Sequence, residues 1–209
     1  MSFYFVQPHA LVRWYYNDLV WRMPQGKKIV YLTFDDGPNE KATTHVLDVL
    51  KSFHLQATFF CLGSNIQKNP ALFDRMLEEG HMIGNHSMHH PNGWNTEDSK
   101  YVEEFEAFEK IHAGSLFRPP YGRIKKSQIK NIIKTHRIIM WDVLSYDFDI
   151  RVQKEQCLNF VTQNVRDGSI LLFHDSVKAF DNMRFALPRS IEHCLQQGYS
   201  FELLRNENF

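Results

Sequence analysis

The order of apolar runs and helical stretches is the feature that most constrains how this chain can fold. Seven short apolar runs alternate with six longer stretches that carry helix-start and helix-stop residues. Strands separated by helix-length segments favour a parallel sheet with outer helices. The predicted strands are Ile29–Phe34, Ala57–Leu62, His81–Gly84, Leu116–Phe117, Ile138–Met140, Ser169–Phe173 and Tyr199–Leu203, and the predicted helices are Lys41–Phe53, Ala71–Glu79, Glu97–His112, Ser127–Thr135, Lys154–Val165 and Met183–Gln197.

Length and composition indicate one sizeable domain. The chain has 209 residues, of which 43% are hydrophobic, enough to bury a core. The 24 basic and 24 acidic residues balance, so charge gives no reason to expect a nucleic-acid partner. The three cysteines have no C-x-x-C spacing, which suits a reducing compartment, and Cys61 in an apolar run is predicted to be a buried free thiol.

The first 26 residues form an aromatic segment that we predict to pack on the domain formed by residues 27–209. Pro8 and Arg13 interrupt its apolar runs well below the length of a signal peptide or membrane span. Leu11, Tyr15 and Leu19 recur at helical spacing, which favours a helix packed on the domain over the alternative of an interfacial membrane helix. The chain as written is expected in the cytoplasm, and association with the cell envelope is the expectation if a longer product is tethered there.

Two polar motifs together predict a metal site. Asp35 and Asp36 follow the first predicted strand, and adjacent residues leaving a strand diverge, so the two carboxylates can take different roles. His86 and His90 are four residues apart, so one helical turn would place both imidazoles on one face. A solvated turn and a polar helix start are the alternatives for these motifs. Two imidazoles and one of the two aspartates would give a zinc-type site of three protein ligands with an open position.

The other unusual polar residues also follow predicted strands. Arg118 comes after the fourth strand, Asp147 after the fifth and His174 after the sixth. In parallel α/β folds, ligands gather at the carboxyl ends of the strands. This placement predicts an active site along that rim.

These residues lie in five motifs that occur in a fixed order. The motifs are Thr33–Pro38 (TFDDGP), His86–His90 (HSMHH), Arg118–Gly122 (RPPYG), Ser145–Phe148 (SYDF) and Leu171–Asp175 (LLFHD). In this order they resemble the polysaccharide deacetylases with the NodB homology domain, carbohydrate esterase family 4, from about Lys27 to the C-terminus. The resemblance implies a distorted (β/α)7 barrel with parallel strands and outer helices. It also implies a divalent ion, commonly Zn²⁺, and removal of acetyl groups from chitin, peptidoglycan or xylan.

The resemblance also implies a role for each matching residue at the metal site. Asp36, His86 and His90 are similar to the family's metal ligands. Asp35 is similar to the general base, and Arg118 to the arginine that orients it.

The remaining matches concern the leaving group and the acetyl pocket. His174 resembles the general acid, with Asp147 supporting its imidazolium. Tyr121 would offer its backbone N–H to the oxyanion, and Leu172 would line the acetate pocket. The motif around Asp147 usually ends in tryptophan, so Phe148 puts the shape of the acetyl-side wall in question.

The leading hypothesis is a metal-dependent deacetylase of glycans that contain N-acetylglucosamine, such as chitooligosaccharides or peptidoglycan. The same fold leaves two other chemistries open, an O-acetyl esterase of the xylan type and a hydrolase of cyclic imides or ureides. Asp35 and His174 together favour the deacetylase. A catalytically silent glycan-binding module is the alternative from another class, and complete catalytic and metal positions argue against it.

Overall fold

The centre of the molecule is a sheet of parallel strands. The computed structural model describes residues 4–205, so residues 1–3 and 206–209, at the ends of the predicted segments 1–26 and 27–209, lie outside the described residues. Within each ladder the strands pair in parallel, in the order β5-β4-β3-β2-β1-β7-β6, and β8 adds to β1. The strands are β1 Ile29–Asp35, β2 Thr58–Cys61, β3 Met82–Asn85, β4 Leu116–Phe117, β5 Arg137–Ile138, β6 Val143–Leu144, β7 Ile170–His174 and β8 Ser200–Phe201.

Chain connectivity requires this sheet to curl. Strands β5 and β6 lie at opposite ends of the strand order, yet only residues 139–142 separate them in the chain. That connection spans at most about 19 Å, whereas seven flat strands would spread over about 29 Å. The predicted distorted (β/α)7 barrel is confirmed.

The opening between β5 and β6 is crossed by the segment that precedes β1. The backbone N–H of Val20 donates to Ile138, and that of Met140 donates to Val20. The N–H of Met23 donates to the carbonyl of Gly168, which lies just before β7. Residues 20–23 therefore bond to elements on both sides of the opening.

Helices cover the outer face of the sheet. The core between them is apolar: Phe34 stacks on Phe59 with ring centroids 5.0 Å apart, and Leu47 of the second helix belongs to the same buried cluster. Burying such side chains is the main stabilising term of the fold. The helices are α1 Ala10–Tyr15, α2 Glu40–Ser52, α3 Gly63–Lys68, α4 Pro70–Glu78, α5 Asp98–Glu109, α6 Lys126–Ile132, α7 Lys154–Thr162 and α8 Phe180–Gln196.

The N-terminal segment packs differently from the sequence expectation. Helix α1 ends at Tyr15 and has no buried residue, so the predicted helical face of Leu11, Tyr15 and Leu19 is wrong. Asn17 and Asp18, which compete with helical hydrogen bonds through their side chains, follow the helix end. The buried contacts come from the extended chain that follows, where Leu19, Trp21 and Met23 enter the core; the boundary at residue 26 stays a prediction.

Two further expectations concern the burial of the cysteines and the length of the apolar helices. Cys61 is buried and free, as predicted, and so are Cys157 and Cys194. Across residues 4–205, no helix combines the length and the apolar character that crossing a membrane requires.

Candidate active site and metal centre

The two carboxylates at the end of β1 face different partners. Strand β1 is buried along its whole length and delivers Asp35 to the rim as its last residue. Asp36 follows with φ 82°, a left-handed conformation that turns its side chain away from that of Asp35. The turn is packed closely, since a Cβ at Gly37 would lie 1.9 Å from the carboxylate of Asp175. A glycine is therefore needed directly after the aspartate pair.

Asp36, His86 and His90 bring three donor atoms together. These atoms all lie within 4.8 Å of one another. The Oδ1 atom of Asp36 is 3.3 Å from Nε2 of His90 and 3.7 Å from Nε2 of His86. Two ligands of one tetrahedral zinc ion lie about 3.4 Å apart, given bonds of about 2.0–2.2 Å. The three side chains therefore fit a divalent metal ion.

Protonation of these residues suits metal binding. His86 places Nδ1 2.8 Å from the carbonyl oxygen of Arg118, an acceptor that fixes the proton on Nδ1 and leaves the Nε2 lone pair free. Burial, with the neighbouring His90, lowers the pKa of His86 to about 4, so the ring is neutral at neutral pH. Burial opposes ionisation of Asp36, but the neighbouring imidazoles of His90, His174 and His86 lower its pKa below the usual range.

One atom of the cluster lacks the hydrogen bond that its burial calls for. Asp36 Oδ1 is buried and has no hydrogen-bond partner among the described residues. Buried carboxylate oxygens are costly unless they are paired or coordinate a metal. This unpaired oxygen faces the imidazoles of His86 and His90, so the residues present fit the divalent metal ion that the sequence implies.

Arg118 holds the carboxylate of Asp35 in place. Its fully buried guanidinium donates from Nη1 to Asp35 Oδ1 at 2.7 Å and to the hydroxyl of Thr33 at 2.9 Å. Its Nε and Nη2 atoms donate to the carbonyl oxygens of Ile139 and Met140, and Phe60 stacks against its face at 4.1 Å. A guanidinium held on every side fixes the direction of the Asp35 carboxylate.

His174 and Asp147 form the pair on the opposite side of the cavity. Nδ1 of His174 lies 2.8 Å from Asp147 Oδ1, and the backbone N–H of His174 donates to Oδ2 at 2.7 Å. Burial disfavours the imidazolium, but the Asp147 carboxylate and its hydrogen bond, with Asp36 and Asp35, outweigh it and raise the pKa of His174 to about 9. The ring is therefore protonated at neutral pH.

A cavity of about 770 Å³ joins these groups. Leu172 lines it from β7, two residues before His174 and on the same face of the strand. Phe148 lies beside it, with its ring 4.8 Å from the His174 ring. Tyr121 has φ 59° and stands over His90, with ring centroids 4.3 Å apart. All of the predicted site residues except the buried supports Arg118 and Asp147 line this one cavity.

The chain matches the family model of the polysaccharide deacetylases over residues 22–138, more than half of its length. The chain belongs to the polysaccharide deacetylase family. Its parallel barrel, with the five motifs gathered at one rim, is the arrangement that the resemblance implies for this family.

Known family members are similar over most of this deacetylase. A peptidoglycan-N-acetylglucosamine deacetylase of Bacillus cereus is 35% identical over 201 residues, covering 90% of this chain and 93% of that protein. A peptidoglycan-N-acetylmuramic acid deacetylase of Bacillus subtilis is 35% identical over 83% of this chain but only 37% of its own length. A crystal structure of a peptidoglycan N-acetylglucosamine deacetylase superimposes with a TM-score of 0.88 at 32% identity, covering 94% of this chain and 95% of that one.

The local structure of the histidine motif differs from the prediction for this family member. The expectation that His86 and His90 share one helical turn is wrong, because both lie in a loop after β3. Ser87 and His90 have φ values of 70° and 62°, which no right-handed helix allows. The loop nevertheless places the two imidazoles 5.1 Å apart, with the N–H of His90 donating to the Ser87 hydroxyl.

A buried polar network supports this loop in the deacetylase. Asn85 Oδ1 accepts from the Ser87 N–H at 2.7 Å, and Asn85 Nδ2 donates to Glu109 of α5 at 2.7 Å. The other Glu109 oxygen lies 3.2 Å from Nε2 of His136 and accepts from the N–H of Gly114. The network therefore ties the loop that carries His86 and His90, called the ligand loop below, to α5 and to the segment before β5.

Sequence reasoning missed several residues that shape this deacetylase site. Thr33 bonds to Arg118, and Asp175 accepts from the Gly37 N–H and the Thr43 hydroxyl. Thr33 and Asp175 lie inside the motifs TFDDGP and LLFHD, which was the available signal. Trp141 lines the cavity from outside every motif, in the short connection before β6, and nothing in its sequence context marks it.

Proposed function

We propose that this protein hydrolyses N-acetyl groups on glycans that contain N-acetylglucosamine and releases acetate. The observation that carries the proposal is the meeting of three groups in one cavity: the donor set of Asp36, His86 and His90, the Asp35–Arg118 pair and the protonated His174. Similarity to peptidoglycan deacetylases over most of the chain supports this substrate class.

Zn²⁺ is the ion that we propose for Asp36, His86 and His90. Imidazole with carboxylate suits zinc, and three protein ligands leave a position open for the reaction. When bound there, the ion would supply Lewis-acid polarisation of the acetyl carbonyl.

Asp35 acts as the base in the proposed reaction. Its carboxylate is aimed by Arg118 and faces the cavity, so it can take a proton from the water whose oxygen attacks the acetyl carbonyl carbon. The backbone N–H of Tyr121, at the cavity wall, is the proposed donor to the oxygen that becomes negative. Removing one such donor typically costs about 3–4 kcal/mol of transition-state stabilisation.

His174 acts as the acid in the second half of the reaction. The carbon–nitrogen bond breaks as His174 transfers its Nε2 proton to the departing nitrogen, because an amine anion is too basic to leave unprotonated. Asp147 holds the ring by Nδ1 so that Nε2 points into the cavity. Acetate and a free amino sugar are the products.

The acetyl group is proposed to lie against Leu172 and Phe148. Both are apolar and border the cavity next to His174, so they can form a cup for one methyl group. An added methylene in such a pocket usually costs about 1–3 kcal/mol, which favours acetyl over longer acyl groups.

Acetate release across a substrate panel tests this function. The panel contains chitooligosaccharides, peptidoglycan fragments, acetylated xylan and a cyclic imide, each given to the unmodified protein and to Asp35→Asn. We expect acetate from the first two substrates, at a rate about 10²–10⁴-fold lower in the variant. Preferred release from xylan would instead identify an O-acetyl esterase, and opening of the imide alone would identify an imide hydrolase. The lack of a nucleic-acid or membrane partner and the place of action in the cell stay predictions.

A further inference from the structure

Asp175 is a buried carboxylate behind the catalytic cavity that none of the proposed reaction steps uses. It follows His174 at the end of β7 and is only 1% exposed. It does not line the cavity, and it does not belong to the cluster of metal donors. Burying a carboxylate is costly unless it is paired or hydrogen-bonded, so the hydrogen bonds of Asp175 have to explain its position.

The hydrogen bonds of Asp175 enclose Asp36. The backbone N–H of Asp175 donates to the carbonyl oxygen of Asp35 at 3.1 Å, and its Oδ1 accepts from the backbone N–H of Gly37 at 3.0 Å. Asp35 and Gly37 are the two neighbours of Asp36 in the chain. One residue therefore bonds to the backbone on both sides of the proposed metal ligand.

The backbone of Asp36 needs support of this kind. Its φ of 82° lies in the left-handed region, which residues with a side chain rarely adopt. Such a conformation persists only where the surrounding structure holds it. The direction of a side chain follows from its backbone, so the bonds that hold this turn also aim the Asp36 carboxylate at His86 and His90.

Helix α2 fixes the second oxygen of Asp175. The hydroxyl of Thr43 donates to Oδ2 at 2.5 Å and accepts from the backbone N–H of Asn39 at 2.7 Å. The single proton of that hydroxyl is therefore directed at Asp175. Both carboxylate oxygens are acceptors, one for the turn and one for the first turn of α2.

The same bonds connect the metal side of the cavity to its acid side. Asp35 and His174 are direct partners in the ladder of β1 and β7. The N–H of Asp175 continues that ladder one residue beyond His174. A shift of Asp175 would therefore move the proposed metal ligand, the base and the acid relative to one another.

We propose that Asp175 is a positioning residue, which holds the turn of Asp36 so that this carboxylate meets His86 and His90 in the arrangement that binds a metal ion. This rests on the proposed function, because the role is defined by the metal site of that reaction. Asp175 acts through the backbone of the turn and does not reach the substrate. Its loss should weaken metal binding and slow turnover without changing substrate binding.

The test compares three variants of the full chain. Asp175→Ala removes both bonds of the carboxylate, and Asp175→Asn keeps one oxygen to accept from Gly37. Leu47→Ala is the control, because Leu47 is a fully buried apolar residue of α2, the helix that carries Thr43, and does not line the cavity. The control therefore lowers stability without removing a bond to the turn.

Three measurements are made on each variant and on the unmodified protein. Competition titration gives the zinc affinity, and urea unfolding of the metal-free protein gives the stability. Steady-state kinetics at saturating zinc gives kcat and KM for acetate release from an N-acetylglucosamine oligomer.

We expect Asp175→Ala to weaken zinc affinity about 10–100-fold, and Asp175→Asn to weaken it less. At saturating zinc, kcat of Asp175→Ala should fall by up to about 10²-fold, because displacement of catalytic groups slows the reaction. KM should stay unchanged. Leu47→Ala should bind zinc as the unmodified protein does, although it unfolds at a lower urea concentration.

Unchanged zinc affinity in both Asp175 variants would overturn the proposal, and so would an equal loss in Leu47→Ala. A loss that appears in KM and not in kcat would also overturn it, since that would place Asp175 at the substrate. If Asp175→Ala does not fold, Asp175→Asn decides: zinc binding weaker than that of Leu47→Ala supports the role, and equal binding rejects it.

The zinc titration separates this proposal from the proposed function. If the unmodified protein binds zinc but releases no acetate from any oligomer, the proposed function fails. Weaker zinc binding by the Asp175 variants than by Leu47→Ala then still supports the positioning role. An unmodified protein that binds no zinc would overturn both.

Discussion

Asp35 and Asp36 are adjacent in the chain but separable in function. Asp36→Ala or His86→Ala removes one of three donor side chains, so we expect loss of both bound zinc and activity. Asp35→Asn keeps an oxygen for Arg118 to bond, and we expect it to retain zinc while turnover falls about 10²–10⁴-fold. Elemental analysis of zinc-loaded, desalted protein checks both. Full zinc occupancy in His86→Ala would contradict the ligand assignment.

The pKa of His174 sets an upper pH limit for activity. The proposed acid must be protonated, and its pKa is raised to about 9 by Asp147, so activity should fall as pH rises through about 9. Asp147→Asn removes the carboxylate that favours the imidazolium, so the pKa of His174 drops and the alkaline fall-off moves to lower pH.

The pH profile of kcat for the unmodified protein and Asp147→Asn measures this shift. Asp142→Asn is the comparison, since that buried carboxylate pairs with Arg166 away from the catalytic cavity. A displacement of the alkaline limb by Asp142→Asn, with none by Asp147→Asn, would reverse the assignment.

At the residue scale, sequence reasoning found the groups with distinctive chemistry and missed those that hold them. The carboxylates and imidazoles of the motifs are rare in apolar surroundings, so their positions stand out. Thr33 and Trp141 look like ordinary strand and core residues, because their contacts with Arg118 and with the cavity come from distant parts of the chain. Such contacts exist only after the strands are arranged.

At the scale of elements, the ligand loop depends on helix α5. Asn85→Ala would leave the Ser87 N–H and Glu109 without their buried partner, a cost of about 1–3 kcal/mol in the free energy of unfolding. Mutation of residues that orient metal ligands typically lowers metal affinity about 10–100-fold. We therefore expect weaker zinc binding with the catalytic residues all present.

Zinc competition titration and urea unfolding measure the two effects of Asn85→Ala. His89→Ala is the control, because His89 belongs to the same loop but is exposed and pairs with Glu104. Glu109→Gln keeps one acceptor oxygen, so its zinc affinity should lie between those of Asn85→Ala and His89→Ala. If Asn85→Ala and His89→Ala bind zinc equally, the network does not position the ligands.

The sequence predicted all of the observed strands except β6, and it missed helix α3. Every predicted strand ends within two residues of an observed one. Strand β6 (Val143–Leu144) was missed because only four residues separate it from β5, too few for the helix that the sequence pattern expects between neighbouring strands. Helix α3 was missed because it begins at Gly63 with no side-chain cap from Leu62. Its first two backbone N–H groups, of Gly63 and Ser64, donate to the carbonyl oxygens of Ser87 and Met88, which lie far away in the sequence.

At the scale of the whole molecule, the N-terminal segment links stability to the site. Residues 20–23 bond on both sides of the barrel opening, and Trp21 packs edge-on against Trp141 with ring centroids 6.5 Å apart. Trp141 in turn borders both the catalytic cavity and a second cavity of about 500 Å³ beside it. A change in the packing of this segment should therefore alter the wall of the catalytic cavity through the side chain of Trp141.

Trp21 and Trp14 provide a matched test of this link. Trp21 is 9% exposed and its indole N–H donates to the Tyr16 carbonyl, whereas Trp14 is 76% exposed. Replacing a buried tryptophan by alanine costs about 3–5 kcal/mol, and an exposed one about 0.5 kcal/mol or less. Urea unfolding should show that difference as a lower midpoint at unchanged slope for Trp21→Ala alone.

Because Trp141 loses its neighbour, Trp21→Ala should also lower kcat/KM under conditions where the protein is fully folded. Equal midpoints for the two variants would mean that the segment rests on the barrel without stabilising it.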